Sequence, residues 1–578
     1  MLVNSNFQFA EMNPLCEISK KNIIYQDCPD FNIYNLGVNI DPQEVNWHKD
    51  YISDYQYPAR RFDEIKPSTI FNKGVDVKFA WELSRFYFGL VLAQRCQVTG
   101  ENQYYIYLKD LLTNFIKSNP FLYGVNWVSP MEVGMRSVNW ILALNLVGKD
   151  FFFDTSFKKH IAKELIQSAE YINAFPEIYY KGHTTNHTIA CYTGLIFLAL
   201  SLKDHPSSLK WLNKSIKGLE TCIQYQVYND GINFEASIPY HRLSLELFSY
   251  PVIFSSIRFS DNYYKNLFRM FEFTAAYIDS EGNAPQVGDN DSGKLIVYQQ
   301  DHYKYEHNHS YLLTLGEHIF NYKFKSQCLS RFHPITSFLP DINKIDPQEI
   351  DIVPRSTNKS IHFQNGGAHL LKQQGISLLV SCFPIGQKGR GGHNHLDTGS
   401  FTLSMNKKQI VVDPGTFTYT RSKQLRDKFR AYDYHNTLYT SVDRLIPWDQ
   451  NSYWSLNKYY NYKVLSATDT ELHIAIKFIN DPLIRFRHFI LSLGSLTITD
   501  TYSGAFFQRI NLHPHQVIIE ESEKIISTED FSIKIPDKST YNITDYDYSP
   551  HYDKTIPAKC IIISSEHSST LIISPSTN

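Results

Sequence analysis

The spacing of hydrophobic residues changes once along the chain, near residue 350. Before that point, apolar residues recur every three or four positions over long windows, which is the period of an α-helix. Breaks rich in Pro, Gly and Asn separate these windows. The windows that predict helices are 80–93, 104–116, 138–146, 161–171, 188–202, 209–224 and 243–257. At least seven helices with short connections and no strand runs predict an all-α domain over residues 1–350, built from helix hairpins.

After about residue 360 the hydrophobic period shortens to two, the period of a strand with one buried face. The segments that predict strands are 377–382, 399–405, 409–412, 473–478, 484–491, 495–500, 517–520, 525–527, 531–535 and 560–564. Many short strands with no helices between them predict an antiparallel β-sandwich over residues 351–578. The polar, Pro-containing stretch 341–360 is the predicted linker. The predicted fold class is therefore α+β and multidomain.

The composition places the chain among ordinary globular proteins. Of 578 residues, 43% are hydrophobic and 20% are charged, which excludes wholesale disorder. The formal net charge of −2 argues against sequence-independent nucleic-acid binding, which needs a basic excess. It is compatible with an acidic substrate, because a local basic cleft can lie on a neutral protein. Aromatic residues make up 15% of the chain and serve either core packing or ligand stacking.

No stretch of the sequence predicts a membrane span, because the most apolar one, 189–202, is too short and contains polar residues. The first 21 residues lack a basic segment followed by an apolar one, so no signal peptide is predicted. We therefore expect a cytoplasmic protein, or a periplasmic or secreted one if the sequence lacks its leader. The eight cysteines form no CxxC pair, and no disulfide framework is predicted.

The densest group of chemically active residues lies in the segment GQKGRGGHNHLD at 386–397. Its glycines allow the backbone to approach a ligand or to turn sharply. In a strand, His393, His395 and Asp397 would project to one side. Two imidazoles and a carboxylate on one patch suit metal ligation or proton transfer. The alternative is a polar sheet edge whose histidines bond to the backbone.

Two later residues extend this group. Asp413 and His435 would join His395 as oxygen and nitrogen ligands of a hard or borderline divalent ion. Asp413 precedes a Pro-Gly pair, so turn formation is the alternative explanation for it. The residues alone leave both interpretations open.

In the helical half, two segments that enter predicted helices carry polar clusters. Asn186 and His187 precede an apolar helix, where Thr185 or Asn186 would serve as the N-cap in the alternative interpretation. The loop 230–242 contains more functional groups than a structural loop needs. Its chemically active side chains include Glu235, Ser237, Tyr240, His241 and Arg242.

Two predicted helices carry arginines that suit an anionic sugar. Arg85 lies four residues after Trp81, and Arg136 lies four residues after Glu132, so each pair shares a helix face. An intrahelical ion pair is the alternative for the second pair. The loop QVGDNDSG at 286–293 lacks the downstream Glu of an EF-hand and is interpreted as a structural or cleft-rim loop.

Taken together, these motifs resemble the heparinase II/III-like family of polysaccharide lyases. The matching pieces are WELSR at 81–85, GVNW at 124–127, MEVGMRSVNW at 131–140, NH at 186–187, NFEASIPYHRLSLELF at 233–248, PQVGDNDSG at 285–293, GGHNHLDTGSFTL at 391–403, VVDPGTFTY at 411–419, HNTL at 435–438 and RFRHFIL at 485–491. Each piece alone is weak to moderate, but the ordered set is specific. The resemblance implies an incomplete α/α toroid followed by an antiparallel β-sandwich. It also implies β-elimination at a uronic acid residue of an acidic polysaccharide.

This chemistry needs three kinds of group: one that neutralises the uronate carboxylate, a base for the C5 proton and an acid for the departing C4 oxygen. The resemblance implies that Asn186, with His187, neutralises the carboxylate. It implies that Tyr240 is the acid and in some substrates also the base, and that His393 is the base or positions the proton transfer. The C5 epimer decides between the two, so the sequence leaves this open. Second-rank candidates for substrate contact are Arg85, Arg136, Glu235, His241 and Arg242.

The resemblance further implies a structural metal site in the β-domain, formed by His395, Asp413 and His435 and suited to zinc by its ligands. The polymer stays open, since heparan sulfate, hyaluronan, chondroitin, alginate and bacterial capsule all present a uronate. The apparent lack of a leader and the short region before residue 81 favour the cell's own capsule or exopolysaccharide.

Two other functional hypotheses are compatible with the sequence. A glycoside hydrolase on a helical toroid would need two carboxylates flanking the scissile bond, for which Glu132, Glu235 and Asp289 are available. A non-catalytic polysaccharide-binding or assembly protein would need no such chemistry, but the presence of Asn186, Tyr240 and His393 together argues against it.

Overall fold

The structure is a computed structural model that describes residues 30–33, 36–148, 155–255, 257–297, 306–328, 339–445, 452–456, 459–492, 494–522 and 524–576. The segment 1–21, on which the leader prediction depends, lies outside these residues. The helices among them are α1 (Lys78–Ser84), α2 (Tyr87–Thr99), α3 (Asn102–Ser118), α4 (Pro130–Val147), α5 (Thr155–Ala174), α6 (Asn186–Ser201), α7 (Ser208–Gln226), α8 (Ile238–Phe254), α9 (Asp261–Tyr277), α10 (Ser310–Ile319) and α11 (Lys423–Arg430).

Nine helices, α2 to α10, form two concentric layers. Helices α2, α4, α6, α8 and α10 pack against one another in succession, and α3, α5, α7 and α9 lie outside them. The inner helices are enclosed on every side, since all of α8 and all of α4 except Asn145 are buried. Gly134 and Gly194 let α4 and α6 approach closely, because a Cβ on Gly194 would lie 2.5 Å from the Cα of Gly134. This layering confirms the predicted α/α toroid.

Antiparallel strands dominate the rest of the chain. The strands are β1 (Asp30–Ile33), β2 (Leu36–Asn39), β3 (Lys49–Asp50), β4 (Tyr55–Gln56), β5 (Ile361–Phe363), β6 (Ala368–Gln373), β7 (Ile376–Ser381), β8 (Ser400–Met405), β9 (Lys408–Val411), β10 (Leu438–Tyr439), β11 (Tyr460–Ala467), β12 (Glu471–Phe478), β13 (Ile484–Ser492), β14 (Ser495–Asn511), β15 (Ile518–Glu521), β16 (Ile525–Thr528), β17 (Phe531–Lys534), β18 (Thr540–His551) and β19 (Lys554–Pro575). A five-stranded sheet has the order β5-β6-β7-β8-β9. A ten-stranded sheet has the order β11-β12-β13-β14-β19-β17-β16-β15, with β10 on β14 and β18 on β19.

The five-stranded sheet joins the two domains, because its faces belong to different cores. Leu371 pairs with Leu378, and both lie in the core between the two sheets. The neighbouring pair, Leu370 and Leu379, lies in the core of the helical domain. Side chains alternate between the faces of a strand, so one sheet packs on the ten-stranded sheet and on the toroid at once. Loops at the edge of this sheet therefore reach the helices.

Four sequence predictions differ from the fold. The single helix over 80–93 is wrong, because Phe86 has a φ of 64° and separates α1 from α2. Residues 1–350 are predicted to contain no strands, but the small hairpins β1–β2 and β3–β4 lie there. The C-terminal region is predicted to have no helices between its strands, but α11 lies between β9 and β10. The segment that carries His393, His395 and Asp397 is a loop rather than a strand, and β8 begins after it at Ser400.

The position of the domain boundary near residue 350 stays a prediction. The last helix of the toroid ends at Ile319 and the first strand of the sandwich begins at Ile361. Ile350 and Ile352 between them pack on the helical core. No helix among the described residues is both long and apolar enough to cross a bilayer.

Candidate active site

The candidate site lies where the toroid meets the sandwich, and distant parts of the sequence supply its side chains. Asn186 is the first residue of α6 and Tyr240 lies in the first turn of α8, while Asp289 and His393 lie in loops of the two domains. The backbone N–H of Asp289 donates to the carbonyl of His393 at 2.8 Å, which joins the two loops directly.

The start of α8 fixes Tyr240. Ser237 is the N-cap, and its Oγ accepts from the backbone N–H of Tyr240 at 3.2 Å. The same hydroxyl donates to the carbonyl of Asp289 at 2.6 Å. Pro239 in the first turn presets the helical backbone. The N-cap therefore ties the first turn of α8 to the loop that carries Asp289.

Tyr240 and His393 form a stacked pair across the domain interface. Their ring centroids lie 3.5 Å apart with 14° between the planes. The hydroxyl of Tyr240 lies 3.1 Å from that of Tyr419. Burial raises the pKa of Tyr240 well above its ordinary value, and the nearby carboxylate of Asp291 raises it further. Tyr240 is therefore protonated at neutral pH.

Asp289 sets the tautomer of His393. Nδ1 of His393 lies 3.0 Å from Oδ2 of Asp289. A carboxylate only accepts, so this ring nitrogen carries the proton and donates. In the neutral ring Nε2 is then the nitrogen that can accept a proton, as a general base must.

Asp289 also binds two further buried side chains, Arg426 and His395. Arg426 binds its carboxylate with both terminal nitrogens, Nη2 at 2.6 Å, and Nε2 of His395 lies 2.8 Å from Oδ1. Burial alone would raise the pKa of Asp289, but Arg426 and the two histidines hold it well below its ordinary value. The loop 286–293, interpreted from the sequence as structural or as a cleft rim, thus carries the residue that orients His393.

Asn186 presents an unused side-chain amide. Thr185 is the N-cap of α6, and the backbone N–H of Asn186 donates to Oε1 of Glu235 at 3.2 Å. Both Oδ1 and Nδ2 of Asn186 are buried without a partner among the described residues. A buried amide is normally hydrogen-bonded, so an orphaned one indicates a ligand position. The dipole of α6 adds a favourable field for an anion near this end of the helix.

Glu235 supports the position of Asn186. Its side chain is fully buried, and its second oxygen, Oε2, accepts from Nε2 of Gln387 at 2.8 Å. It therefore connects Asn186 of the toroid to the loop that leads to His393. Direct substrate contact by Glu235 stays a prediction.

His187 follows Asn186 but points to a different partner. Its Nδ1 lies 3.1 Å from Oε1 of Glu177, and its side chain is 32% exposed. Burial lowers its pKa, but the charge and hydrogen bond of Glu177 outweigh this, so that the pKa of His187 is raised. Whether His187 helps Asn186 neutralise a carboxylate stays a prediction.

The structure does not place Arg85 or Arg136 at the site. Arg85 is fully buried and donates to Glu132 from Nε at 2.6 Å and from Nη2 at 2.8 Å. Arg136 is buried with its guanidinium 4.9 Å from the ring of Phe115 and 5.4 Å from that of Trp127. Arg85 thus joins the end of α1 to α4, and substrate contact by Arg85 and Arg136 stays a prediction.

His241 and Arg242 are also internal, because they lie on the buried sides of α8. Nε2 of His241 lies 3.2 Å from the carbonyl of Met270, and burial lowers the pKa of His241 to about 3. Arg242 donates to the carbonyls of Gly293 at 2.7 Å and Glu306 at 3.1 Å. Substrate contact by these two residues also stays a prediction.

The predicted metal ligands do converge. Ligand atoms of His395, Asp413 and His435 lie within 4.8 Å of one another, and all three side chains are buried. Nδ1 of His395 and Nε2 of His435 have no partner among the described residues. Burial lowers the pKa of His395 to about 4, so its imidazole is neutral and able to bind a metal. Two unpartnered imidazole nitrogens and a carboxylate fit a borderline divalent cation.

Asp397, predicted beside these histidines, lies on the edge of the cluster. Its Oδ2 lies 3.4 Å from the hydroxyl of Ser381. Burial raises the pKa of Asp397 to about 7, with His435 lowering it and Asp413 raising it.

Three residues of the site were not predicted from the sequence. Tyr419 contacts Tyr240, Arg426 holds Asp289, and Trp454 lies beside His393 with ring centroids 6.0 Å apart. Tyr419 ends the quoted motif VVDPGTFTY, so that motif was an available signal for it. Arg426 and Trp454 stand in no motif, and only the fold brings them to the site.

Two family models match the chain. The model described as "Heparinase II/III N-terminus" matches residues 15–309, and that described as "Heparinase II/III-like, C-terminal" matches residues 355–443. A curated relative, the heparin-sulfate lyase of Pedobacter heparinus, is 22% identical over 380 residues, which are 63% of this chain. The match covers 52% of the relative, so the chain spans about half of its length.

Solved structures share the fold. A heparan sulfate lyase from Pedobacter heparinus superposes with a TM-score of 0.58 at 17% identity, covering 87% of this chain and 77% of that one. A structure of heparinase III gives 0.64 at 16% identity, covering 92% and 82%. These likenesses confirm the toroid followed by a β-sandwich. Because the N-terminal model alone spans more than half of the chain and the C-terminal model follows it in order, the chain belongs to the heparinase II/III family.

Proposed function

We propose that this protein is a polysaccharide lyase that cleaves a uronate-containing acidic polysaccharide by β-elimination. The observation that carries the proposal is the juxtaposition of an oriented imidazole, His393, with a protonated phenol, Tyr240, at a ring distance of 3.5 Å. Family membership supports it. The related lyase of Pedobacter heparinus, named for heparin sulfate, makes heparan sulfate the first polymer to test.

Carboxylate neutralisation falls to Asn186 in this proposal. The C5 proton of a uronate is weakly acidic, and hydrogen bonds to the carboxylate stabilise the enolate-like intermediate that forms on its removal. The orphaned amide of Asn186 supplies such a bond from Nδ2. Glu235 holds the backbone of Asn186 in place at 3.2 Å.

Proton transfer is then divided between the two stacked residues. Nε2 of His393 takes the C5 proton while Asp289 holds Nδ1. The electrons of the C5–H bond form the C4–C5 double bond, and the C4–O bond breaks. The hydroxyl of Tyr240 gives its proton to the departing oxygen, and its raised pKa supports this assignment as the acid. One product carries an unsaturated uronate and the other a new hydroxyl.

We also propose a divalent metal ion, zinc by its ligand chemistry, at His395, Asp413 and His435. When bound, it would supply structural stability to the β-domain loops. His395 contacts Asp289 at 2.8 Å, so the fixed imidazole would steady the carboxylate that orients His393.

The test is a panel of heparan sulfate, hyaluronan, chondroitin sulfate, alginate and bacterial capsule, monitored by ultraviolet absorbance and product mass. Elimination gives an absorbing unsaturated product without added water, whereas hydrolysis adds one water. Tyr240→Phe and His393→Ala should abolish the absorbance while the fold stays intact. Full activity in both variants would refute the site.

The hydrolase alternative has no support in the geometry. Glu132 is held by Arg85, Glu235 by Asn186, and Asp289 by three cationic or imidazole groups. None of these carboxylates is free to flank a scissile bond.

A further inference from the structure

Trp454 is an exposed tryptophan next to the reaction pair. Its side chain is 37% exposed, and its ring lies 6.0 Å from that of His393 and 4.7 Å from that of Tyr419. Tyr419 in turn contacts the hydroxyl of Tyr240 at 3.1 Å. Among the other described tryptophans, four are buried and one is half-buried: Trp47, Trp127, Trp140, Trp211 and Trp81. Trp454 is therefore the one exposed tryptophan among the described residues, and it lies beside His393.

The backbone of Trp454 is tied to the loop that carries His393. The N–H of Gly392 donates to the carbonyl of Trp454 at 2.7 Å, and the N–H of Leu456 donates to the carbonyl of Arg390 at 3.0 Å. These two hydrogen bonds hold the segment 452–456 against the loop. The distance from the indole to His393 is set by the fold.

The indole of Trp454 also packs against Tyr419 and Arg426. Its ring meets Tyr419 edge-on at 82°, and the guanidinium of Arg426 lies 5.7 Å from its centroid. Arg426 donates from Nε to the carbonyl of Tyr453 at 3.3 Å and is itself fixed by Asp289. An aromatic ring that is already fixed by neighbours on one side and exposed on the other loses little conformational entropy when it binds a ligand.

We propose that Trp454 is the platform on which a pyranose ring of the acidic oligosaccharide stacks, adjacent to the bond that is cleaved. The inference rests on the proposed lyase function. The axial C–H groups of a pyranose are weakly positive, and the π-face of an indole is negative, so the two attract while apolar area is buried. Trp454 packs directly against His393 and is connected to Tyr240 through Tyr419. A sugar ring stacked on Trp454 would therefore lie close to both proposed catalytic residues.

Binding to an inactivated enzyme tests this directly. In a Tyr240→Phe background, tetrasaccharides of heparan sulfate, hyaluronan, chondroitin sulfate and alginate are titrated by calorimetry and by tryptophan fluorescence. We expect Trp454→Ala to weaken binding of the recognised tetrasaccharide by about tenfold, the worth of one aromatic contact. Trp454→Phe, with a smaller ring, should lose less affinity. Both variants should remove the ligand-induced fluorescence change.

Two comparisons separate binding from folding. Ile106→Ala removes an exposed apolar side chain from the outer helix α3 (47% exposed) and should leave affinity unchanged. Thermal unfolding shows whether each variant is folded. If Trp454→Ala fails to fold, the affinity of Trp454→Phe for the tetrasaccharide is the test of the platform. Equal affinity in the folded Trp454 variants and the parent overturns the platform. Tetrasaccharide binding that depends on Trp454 without cleavage by the wild type supports the platform and overturns the lyase function. Absence of both binding and cleavage overturns both.

Discussion

The carboxylate of Asp289 accepts a hydrogen bond from Nδ1 of His393 at 3.0 Å, although the two residues stand 104 positions apart and in different domains. The toroid thus determines which nitrogen of a β-domain histidine carries the proton. Asp289→Asn should lower kcat by about a hundredfold or more, with a smaller change in KM, because the imidazole loses its tautomer and orientation. Steady-state kinetics on the cleaved polymer measure both parameters.

The same substitution should lower the free energy of unfolding by about 3 kcal/mol, because Arg426 stays buried without its anionic partner. Asp500→Asn is the matched control, since Asp500 is an equally buried carboxylate that pairs with Arg487 at 2.8 Å. It should destabilise the protein in chemical denaturation but leave kcat of the folded enzyme unchanged. A similar fall in kcat for both variants would contradict the orienting role of Asp289.

Asn186→Ala should reduce activity without reducing stability. Loss of a donor to the developing charge costs about 3 kcal/mol of transition-state stabilisation, or roughly a hundredfold in kcat. The free energy of unfolding should change by less than about 1 kcal/mol, because the amide has no partner among the described residues. Asn436→Ala is the contrast, since its Nδ2 donates to two carbonyls and its Oδ1 accepts from the N–H of Asn511. A large loss of stability in Asn186→Ala would assign it a structural role instead.

The fold could be predicted from the sequence because two periodicities dominate it. Hydrophobic periods of three to four and of two are visible in single segments, and α7 and β12 coincide closely with their predicted windows. The break at Phe86 could not be predicted because apolar residues continue across it, and neither could the pairing of the adjacent Arg85 with Glu132 of another helix. Periodicity records which residues face a core, and it does not record which partner a buried charge will find.

The site could be predicted only in part, for the same reason. Tyr240 and His393 stand in motifs that carry the family resemblance, and the structure brings them together. Arg85 and Arg136 share helix faces with other polar groups, which fits a cleft and a buried ion pair equally well. Only the three-dimensional packing shows that Arg85 is fully buried and that Asp289 reaches His393.

Metal binding should stabilise the protein. A cation that binds the folded cluster of His395, Asp413 and His435 but not the unfolded chain raises the melting temperature, and a chelator lowers it. We expect added zinc to raise Tm by several degrees in the wild type and to have no such effect in His435→Ala. Elemental analysis of the purified protein gives the stoichiometry. An identical response of the variant to zinc and chelator would place the metal elsewhere.

The pair of His187 and Glu177 should make stability pH-dependent. The pKa of His187 is raised above its ordinary 6.5, because Glu177 outweighs the effect of burial. A group with a raised pKa in the folded state contributes stability that is fully present below the unfolded pKa and is lost as pH rises through the folded one. The difference in free energy of unfolding between the wild type and His187→Gln should therefore be larger at about pH 5.5 than at about pH 9. Denaturant titrations at both values measure it, and a difference that does not vary with pH would contradict the pairing.

Arg85 offers a test of structural against substrate-binding roles. It is fully buried and pairs with Glu132 at 2.6 Å and with Glu82 at 2.7 Å. Arg85→Leu leaves these two carboxyl groups without their cation, which should cost about 3–5 kcal/mol of unfolding free energy. The double variant Arg85→Leu, Glu132→Leu removes one of the stranded charges and should recover part of that loss. At a temperature where the variants stay folded, KM for the cleaved polymer should match the wild type, whereas a residue that contacts the anionic sugar would raise KM with little change in stability.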